Sequence, residues 1–153
     1  MDNNSILRSI RFLLNIKDSK IVEILQLTEY EVSLNEVQKI LKNDDELDFA
    51  VCPDGLIISF LDGLILFNRG RDANKIQIAA EQTMTNNLAL KKLKIAFALK
   101  EDDMHIVLEK GGYKMGRAEL SAFLRKTDHP NYRNCGDQVL RYFLKGLTQH
   151  LRA

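Results

Sequence analysis

The sequence contains no tryptophan, only two prolines and only two cysteines among its 153 residues. Two cysteines are too few for a disulfide-stapled scaffold, and the eight glycines and two prolines exclude collagen-like and proline-rich chains. No apolar run reaches the roughly 18 residues of a membrane helix, and the amino terminus lacks the charged and apolar segments of a signal peptide. We therefore expect a cytoplasmic globular protein with reduced thiols and no membrane contact.

The sequence does contain an internal duplication. A shift of 83 positions aligns the two halves with no insertion or deletion, and the matched pairs include Asn3 and Asn86, Asn4 and Asn87, Tyr30 and Tyr113, Cys52 and Cys135, Asp54 and Asp137, and Gly63 and Gly146. One register kept over some sixty positions indicates two copies of one unit. We expect repeat 1 at residues 1–70, a connecting segment at 71–83 and repeat 2 at 84–153.

The hydrophobic pattern of each repeat is typical of helices. Ile6, Ile10 and Leu13 recur at helical spacing, and Ala89, Leu93 and Ala96 repeat that face in the second copy. A short helix from about residue 19 to 28 follows in repeat 1, with Asp18 as its expected N-cap. We expect an all-α protein of two tandem pseudo-symmetric repeats, each of about four helices, with helix-turn-helix-like elements.

Two further helices complete repeat 1 in this interpretation. Ser33 and Glu36 have the S-x-x-E form of a capping box, which predicts a third helix to about residue 42, and 43–48 is a polar loop. The last helix begins near Cys52 and Pro53.

The final helices of the two repeats differ in polarity. Arg141, Thr148 and Gln149 lie on the polar face in repeat 2, whereas their counterparts in repeat 1 are Ile58, Ile65 and Leu66. A helix that is apolar nearly all round has to be buried on two sides, so we expect the helix at 54–68 to be central, packed on its own repeat and on the second repeat or a partner subunit. Gly63 and Gly146 cost about 1 kcal/mol each relative to alanine, which predicts close helix crossings there.

The net charge of +1 is the sum of two unequal halves. Residues 1–83 contain 9 Lys and Arg against 14 Asp and Glu, a net of −5, and residues 84–153 contain 13 against 7, a net of +6. The cations on the predicted solvent faces of repeat 2 are the candidate nucleic-acid-binding residues: Lys91, Lys92, Lys94, Arg117, Arg125 and Lys126. The same charges are equally typical of a solvated face whose complement is the acidic repeat, in the same chain or in a neighbour.

The second and third helices of each repeat resemble a helix-turn-helix in outline. In repeat 2 the helix at 116–126 is the better recognition candidate, because Arg117, Ser121 and Arg125 share one face and offer phosphate or base contacts.

The loop before the last helix of repeat 2 contains Asp128, His129, Tyr132, Cys135 and Asp137, which include the residue types of a nucleophile, a base and an orienting acid. Repeat 1 has Glu46 where the histidine stands, so a Cys-His site exists once at most. The alternative is structural, with each cysteine a small buried group and each aspartate stabilising the positive end of a helix. We expect no metal site, because the histidines lack i, i+4 pairing and the cysteines lack a C-x-x-C partner, and no cofactor.

The repeat openings at 3–11 and 86–94 and the segment at 120–147, LSAFLRKTDHPNYRNCGDQVLRYFLKGL, resemble the bacterial YehS-like family, a duplicated domain of unknown function. The resemblance covers essentially the whole chain. It implies a small cytoplasmic bacterial protein of two helical repeats and brings no activity, cofactor or catalytic residue. The charge pattern favours a non-enzymatic binding or regulatory protein that uses repeat 2, with nucleic acid as its ligand. The alternative is a protein-interaction or self-assembly module, such as a homo-oligomer, whose acidic and basic repeats pair.

Overall fold

The structure is a computed structural model, and it describes residues 1–70 and 83–152. Most of the predicted connecting segment at 71–83 therefore lies outside the described residues. The described part contains eight α-helices and no strand: α1 (Asn3–Leu14), α2 (Asp18–Gln26), α3 (Leu34–Leu41), α4 (Asp54–Arg69), α5 (Asn86–Ala96), α6 (Glu101–Gly111), α7 (Arg117–Leu124) and α8 (Asp137–Arg152). The prediction of an all-α protein with two repeats of four helices is confirmed.

The contacts divide the chain into two units, one of residues 2–84 and the other of residues 85–153 with Met1. Over the described ranges, no helix has both the length and the hydrophobicity that crossing a membrane requires.

Helix α1 and its counterpart α5 carry the predicted apolar faces. Ile6, Ile10 and Leu13 are buried in the first unit, and Ala89 and Leu93 are buried in the second. The caps of these helices differ chemically but act alike. The Asp2 carboxylate accepts from the Ser5 N–H at 2.7 Å, and the Thr85 hydroxyl accepts from the Leu88 N–H at 3.1 Å. Each cap satisfies an N–H that the first helical turn leaves without an intrahelical partner.

The predicted N-cap of α2 is wrong by one position. Lys17 is the N-cap and makes no side-chain cap hydrogen bond, while Asp18 is the first helical residue. The Asp18 carboxylate instead accepts from Arg11 Nε at 2.7 Å. An aspartate in a first turn still stabilises the positive helix end, so the residue type suits both positions.

The predicted cap of α3 is confirmed at Ser33. The Ser33 hydroxyl oxygen accepts from the Glu36 N–H at 3.1 Å, and the hydroxyl donates to the Glu36 carboxylate at 3.2 Å. The Glu36 carboxylate therefore accepts from the Ser33 hydroxyl, whereas in a full capping box it accepts from the backbone N–H of the N-cap.

Helix α4 is more deeply buried than its counterpart α8. Ile58 and Ile65 are 5% and 2% exposed, whereas Arg141, which corresponds to Ile58, is exposed and Thr148, which corresponds to Ile65, is half-buried. Burial therefore extends round α4 as the apolar pattern predicts. The packing of α4 on the second repeat or on a partner subunit stays a prediction.

Glycines mark the points where helices cross within each unit. A Cβ at Gly63 of α4 would lie 2.3 Å from the Ile24 carbonyl oxygen of α2, and one at Gly146 of α8 would lie 1.8 Å from the Val107 carbonyl oxygen of α6. Neither space admits a methyl group, because carbon atoms in contact stay about 3.5 Å apart. The close crossings predicted at both glycines are confirmed.

The two crossings are not equally close. A Cβ at Gly111 of α6 would lie 2.0 Å from the Tyr142 carbonyl oxygen. In the first unit the corresponding residue is Thr28, whose hydroxyl donates to the Ser59 carbonyl at 3.2 Å. A hydroxyl thus bridges α2 and α4 where glycine lets the backbones of α6 and α8 meet directly.

Candidate nucleic-acid interface and the duplicated loop

A buried asparagine ties the loop after α3 to the start of α1. The Asn4 side-chain amide donates to the Ile40 carbonyl at 2.9 Å and to the Ala50 carbonyl at 2.8 Å. Its carbonyl oxygen accepts from the Cys52 N–H at 2.9 Å. Both N–H donors and the carbonyl oxygen of the side chain thus have a partner, and the three bonds fix both ends of the loop.

The second unit repeats this arrangement atom for atom. The Asn87 amide donates to the Phe123 carbonyl at 3.0 Å and to the Arg133 carbonyl at 2.7 Å, and its oxygen accepts from the Cys135 N–H at 2.8 Å. We call each set of three bonds the asparagine clamp, centred on Asn4 in the first unit and Asn87 in the second. The duplicated asparagines and cysteines therefore have a structural reason to recur.

The preceding asparagine of each pair joins the clamp to the start of the last helix. Asn3 Nδ2 donates to the Cys52 carbonyl at 3.0 Å and to the Asp54 carboxylate at 2.7 Å. Asn86 makes the corresponding bonds to Cys135 and Asp137 at 3.0 and 2.8 Å. These bonds explain Asp54 and Asp137: each carboxylate lies in the first turn of a helix and anchors it to its unit.

The hydrogen bonds also act on the ionisation of the first of these carboxylates. The Asn3 amide, and after it the Met84 N–H at 3.1 Å, hold the pKa of Asp54 below its usual range. Both donors stabilise the charged form, so Asp54 stays ionised and acts as an acceptor at neutral pH.

Both cysteines are buried thiols. Cys52 and Cys135 are 2% and 5% exposed, and each is free of disulfide bonding. Burial is the largest cause that raises the pKa of Cys52 to about 12 and that of Cys135 to about 11. Thiolates are the reactive species, and these thiols are protonated at neutral pH. The structure thus supports the structural interpretation of Cys135 over the nucleophilic one.

We expect both thiols to resist alkylation in the native protein. At pH 8, iodoacetamide should label the chain within minutes when it is unfolded in urea. The folded chain should react at least about tenfold more slowly, because both thiols are buried and only a small fraction of them is ionised. Intact-mass spectrometry over time measures both rates. Fast labelling of folded Cys135 alone would contradict this and would reopen the nucleophilic interpretation.

Among the described residues, the hydrogen bonds of His129 and Cys135 go to other partners than each other. His129 Nδ1 accepts from the Asn131 N–H at 3.0 Å, and the Cys135 thiol lies 3.6 Å from the Gly136 carbonyl oxygen. His129 and Tyr132 are half-buried, while Asp128 and Asp137 are exposed. In the part of the chain that the structure describes, no three His, Cys, Asp or Glu side chains are placed to hold a metal ion.

Two of the six candidate cations serve the fold. Lys92 is buried, with 5% exposure, so the prediction that it lies on the solvent face of its helix is wrong. It follows Ala89 by three positions and precedes Ala96 by four, which places it on the apolar stripe. Lys91 is half-buried, and its ammonium donates to the Arg125 carbonyl at 2.8 Å, just as Arg8 donates to Lys42 at 3.0 Å in the first unit. Lys91 therefore caps the end of α7.

The other four cations are more accessible. Arg117 is exposed but paired with Asp102, with 2.6 Å between Nη1 and Oδ1. Lys94 is half-buried, and Arg125 and Lys126 are exposed beyond the last turn of α7. We call Lys91, Arg125 and Lys126 the α7 cation cluster, since Lys126 lowers the pKa of Lys91, after the larger effect of burial.

Sequence reasoning missed the function of the asparagine pairs. In the sequence these asparagines mark only the duplication. Two signals of their structural role are present: their place at the starts of α1 and α5, and the 48-residue separation of Asn4 from Cys52 and of Asn87 from Cys135. Neither signal reveals the three bonds, because these connect residues 36 to 48 positions apart.

Comparison with known proteins agrees with the duplication. A family model described as "Protein of unknown function (DUF1456)" matches the chain twice, at residues 3–70 and 86–153. The chain is also similar to "Uncharacterized protein YehS" of Escherichia coli (strain K12), with 42% identity over 99% of each chain. The comparison with solved structures gave no match.

Proposed function

Because the chain belongs to the DUF1456 family of unknown function, we propose a function from its own surface: a non-enzymatic, cytoplasmic binding protein that contacts nucleic acid through the α7 cation cluster. The observation that carries the proposal is the proximity of these like charges at the exposed end of one short helix. The two buried free cysteines are in keeping with a reducing compartment and with the absence of thiol catalysis.

The cluster has the physical character of a phosphate-binding surface. Among the described residues, Arg125 and Lys126 form no ion pair, so their charges are available to an external anion. The repulsion between Lys126 and Lys91 is an electrostatic cost that a bound phosphate would relieve. Lysine and arginine contacts to phosphates supply most of the free energy of non-specific nucleic-acid binding.

The details of α7 favour contact with the nucleic-acid backbone over reading of bases. The helix has eight residues, Arg117 at its start is engaged by Asp102, and Ser121 is half-buried. Among the described cations of this helix and its C-cap, Arg125 combines exposure with a positive charge that is not in an ion pair. The proposal is therefore a helix-turn-helix-like element that binds phosphates with little sequence preference.

Fluorescence anisotropy with labelled duplex DNA and with RNA at about 50 mM salt tests this proposal. The variant Arg125→Glu with Lys126→Glu should lose most of the binding and lower the slope of log K against log salt by about 2. Lys91 is left unchanged because its substitution would also uncap α7. The matched control is Arg141→Glu with Lys145→Glu, two exposed cations of α8 with the same change of charge.

Equal losses in the two double variants would contradict the cluster as the binding surface. No salt-dependent binding by the wild-type protein would contradict the function itself.

A second candidate function is self-association through complementary repeats. The loop between α3 and α4 exposes Asp44, Asp45, Glu46 and Asp48, and Leu47 within it is 86% exposed. An exposed leucine among carboxylates fits a contact with a basic partner surface, such as repeat 2 of another copy. Sedimentation velocity should then show an oligomer that dissociates as salt rises without nucleic acid present.

A further inference from the structure

The first unit has an open surface pocket of about 580 Å³ at the C-terminal end of α2. It is lined by Gln26, Glu29, Tyr30, Glu31 and Val32. Its size falls within the range of small-molecule sites in proteins, about 300–1,000 Å³. None of the contacts that hold the duplicated loop uses these side chains, so the pocket is a feature separate from the asparagine clamp.

The second unit has an additional aromatic ring beside the corresponding turn. Tyr113, the counterpart of Tyr30, packs against Tyr142 with 5.3 Å between ring centroids. A Cβ at Gly112, the counterpart of Glu29, would lie 3.8 Å from Tyr142 Cε1, so the Tyr142 ring lies beside both positions. In the first unit the residue corresponding to Tyr142 is Ser59. A serine at this position places no ring beside Glu29 and Tyr30, two of the residues that line the pocket.

The two units share a backbone hydrogen bond at this tyrosine. The Tyr30 N–H donates to the Leu25 carbonyl at 3.1 Å, as the Tyr113 N–H donates to the Leu108 carbonyl at 3.0 Å. One edge of the Tyr30 ring lies close to Gly55, where a Cβ would be 3.8 Å from Cε2. Tyr30 therefore lies beside the start of α4 on one side and lines the pocket on the other.

The charge around the pocket selects a cation. Glu29 and Glu31 are exposed at its rim, and the C-terminal end of a helix adds a partial negative charge. Burial is the largest cause that raises the pKa of Tyr30, and the Glu36 carboxylate acts in the same direction, so the phenol stays neutral at physiological pH. A neutral phenol ring attracts a cation to its face, and arginine or lysine cations and organic ammonium ions bind rings in this way.

We infer that this pocket, lined by Glu29, Tyr30 and Glu31, binds an alkylammonium group. The ammonium lies against the Tyr30 ring beside the two carboxylates, and its alkyl chain occupies the pocket. Two sources present this chemistry, a free aliphatic polyamine and a lysine side chain of a peptide. The inference does not depend on the proposed nucleic-acid function, which uses the other unit.

The test is a titration of the full-length protein, followed by NMR at low salt, with butane-1,4-diamine and with a terminally blocked Gly-Lys-Gly peptide. Saturable shifts of the Tyr30 and Glu31 resonances by either probe support the inference, and the tighter probe identifies the source. The neutral isostere butane-1,4-diol should cause no such shifts. Shifts of equal size with the diol, or none with either cation, would overturn the inference.

Two variants separate the pocket from general attraction to an acidic surface. Ser59→Tyr recreates the aromatic pair of the second unit and should weaken binding at least about tenfold, and Glu29→Gln with Glu31→Gln should weaken it by about the same factor. The matched control, Asp44→Asn with Asp45→Asn, removes two carboxylates from the loop after α3 and should leave binding unchanged. Equal weakening in the control and the glutamate variant would overturn the site, as would full binding by both pocket variants.

Discussion

Replacing Gly146 with alanine is expected to lower the free energy of unfolding by at least about 3 kcal/mol. The added methyl group would lie 1.8 Å from the Val107 carbonyl oxygen and 2.8 Å from the Gly111 nitrogen, which are backbone atoms of α6. Backbone cannot rotate away as a side chain can, so α6 and α8 have to separate along their whole contact. Urea unfolding followed by circular dichroism at 222 nm measures the loss.

The control is the same substitution at Gly55, which lies in the first turn of α4. A methyl group added at Gly55 would have Tyr30 Cε2 as its nearest neighbour, at an ordinary contact distance of 3.8 Å. Alanine is also a better helix former than glycine, by up to about 1 kcal/mol. We therefore expect Gly55→Ala to be neutral or stabilising. Gly63→Ala should fall between the two, because its methyl group would lie 2.3 Å from the Ile24 carbonyl oxygen. A Gly146→Ala variant within 1 kcal/mol of wild type would contradict the crossing geometry.

The second large effect is expected from Asn87→Asp, which keeps the shape of the side chain and changes one donor into an acceptor. The new carboxylate would face the Phe123 and Arg133 carbonyls, which now lie 3.0 and 2.7 Å from the amide nitrogen. Burying a charge against two carbonyl oxygens should cost about 3–5 kcal/mol at pH 7. Chemical unfolding at fixed pH measures this cost.

The cost should depend on pH with a definite sign. Burial and the two carbonyls raise the pKa of the new carboxyl in the folded state above its unfolded value of about 4. A protonated carboxyl can donate to one carbonyl. The difference in free energy of unfolding between the variant and the wild type should therefore narrow as the pH falls from 7 to 4 and widen as the pH rises. Asn134→Asp, at an exposed position of the same loop, is the control and should change stability little at either pH. A pH-independent difference would contradict the clamp.

The fold could be predicted from the sequence because each helix carries its apolar face locally. Ile6, Ile10 and Leu13 indicate the buried side of α1 without reference to any other part of the chain. The helix crossings were predictable at Gly63 and Gly146 for a similar reason, since glycine inside a helix has a local cost that close packing explains. These signals depend on spacing along one helix, and the duplication supplied each of them twice.

The surface could be predicted only in part, because a helix face is assigned from the sequence by its average polarity. Lys92 belongs to a lysine-rich helix but lies on its buried stripe, and Lys91 was unrecognisable as a cap because it acts on Arg125, 34 residues away. The pocket at Tyr30 was also missed. It is lined mainly by residues of the turn after α2, whose spacing does not follow one face of a helix.

The asparagine clamp has a consequence for how the folded chain is held together. Each clamp joins positions 48 residues apart in the folded state only, because its hydrogen bonds break on unfolding, so it leaves the entropy of the unfolded chain unchanged, unlike a disulfide. Asn4 and Asn87 therefore fix long loops without the covalent bridge that many secreted proteins use. A tether made of hydrogen bonds is indifferent to reductants, forms without an oxidant, and re-forms each time the chain refolds.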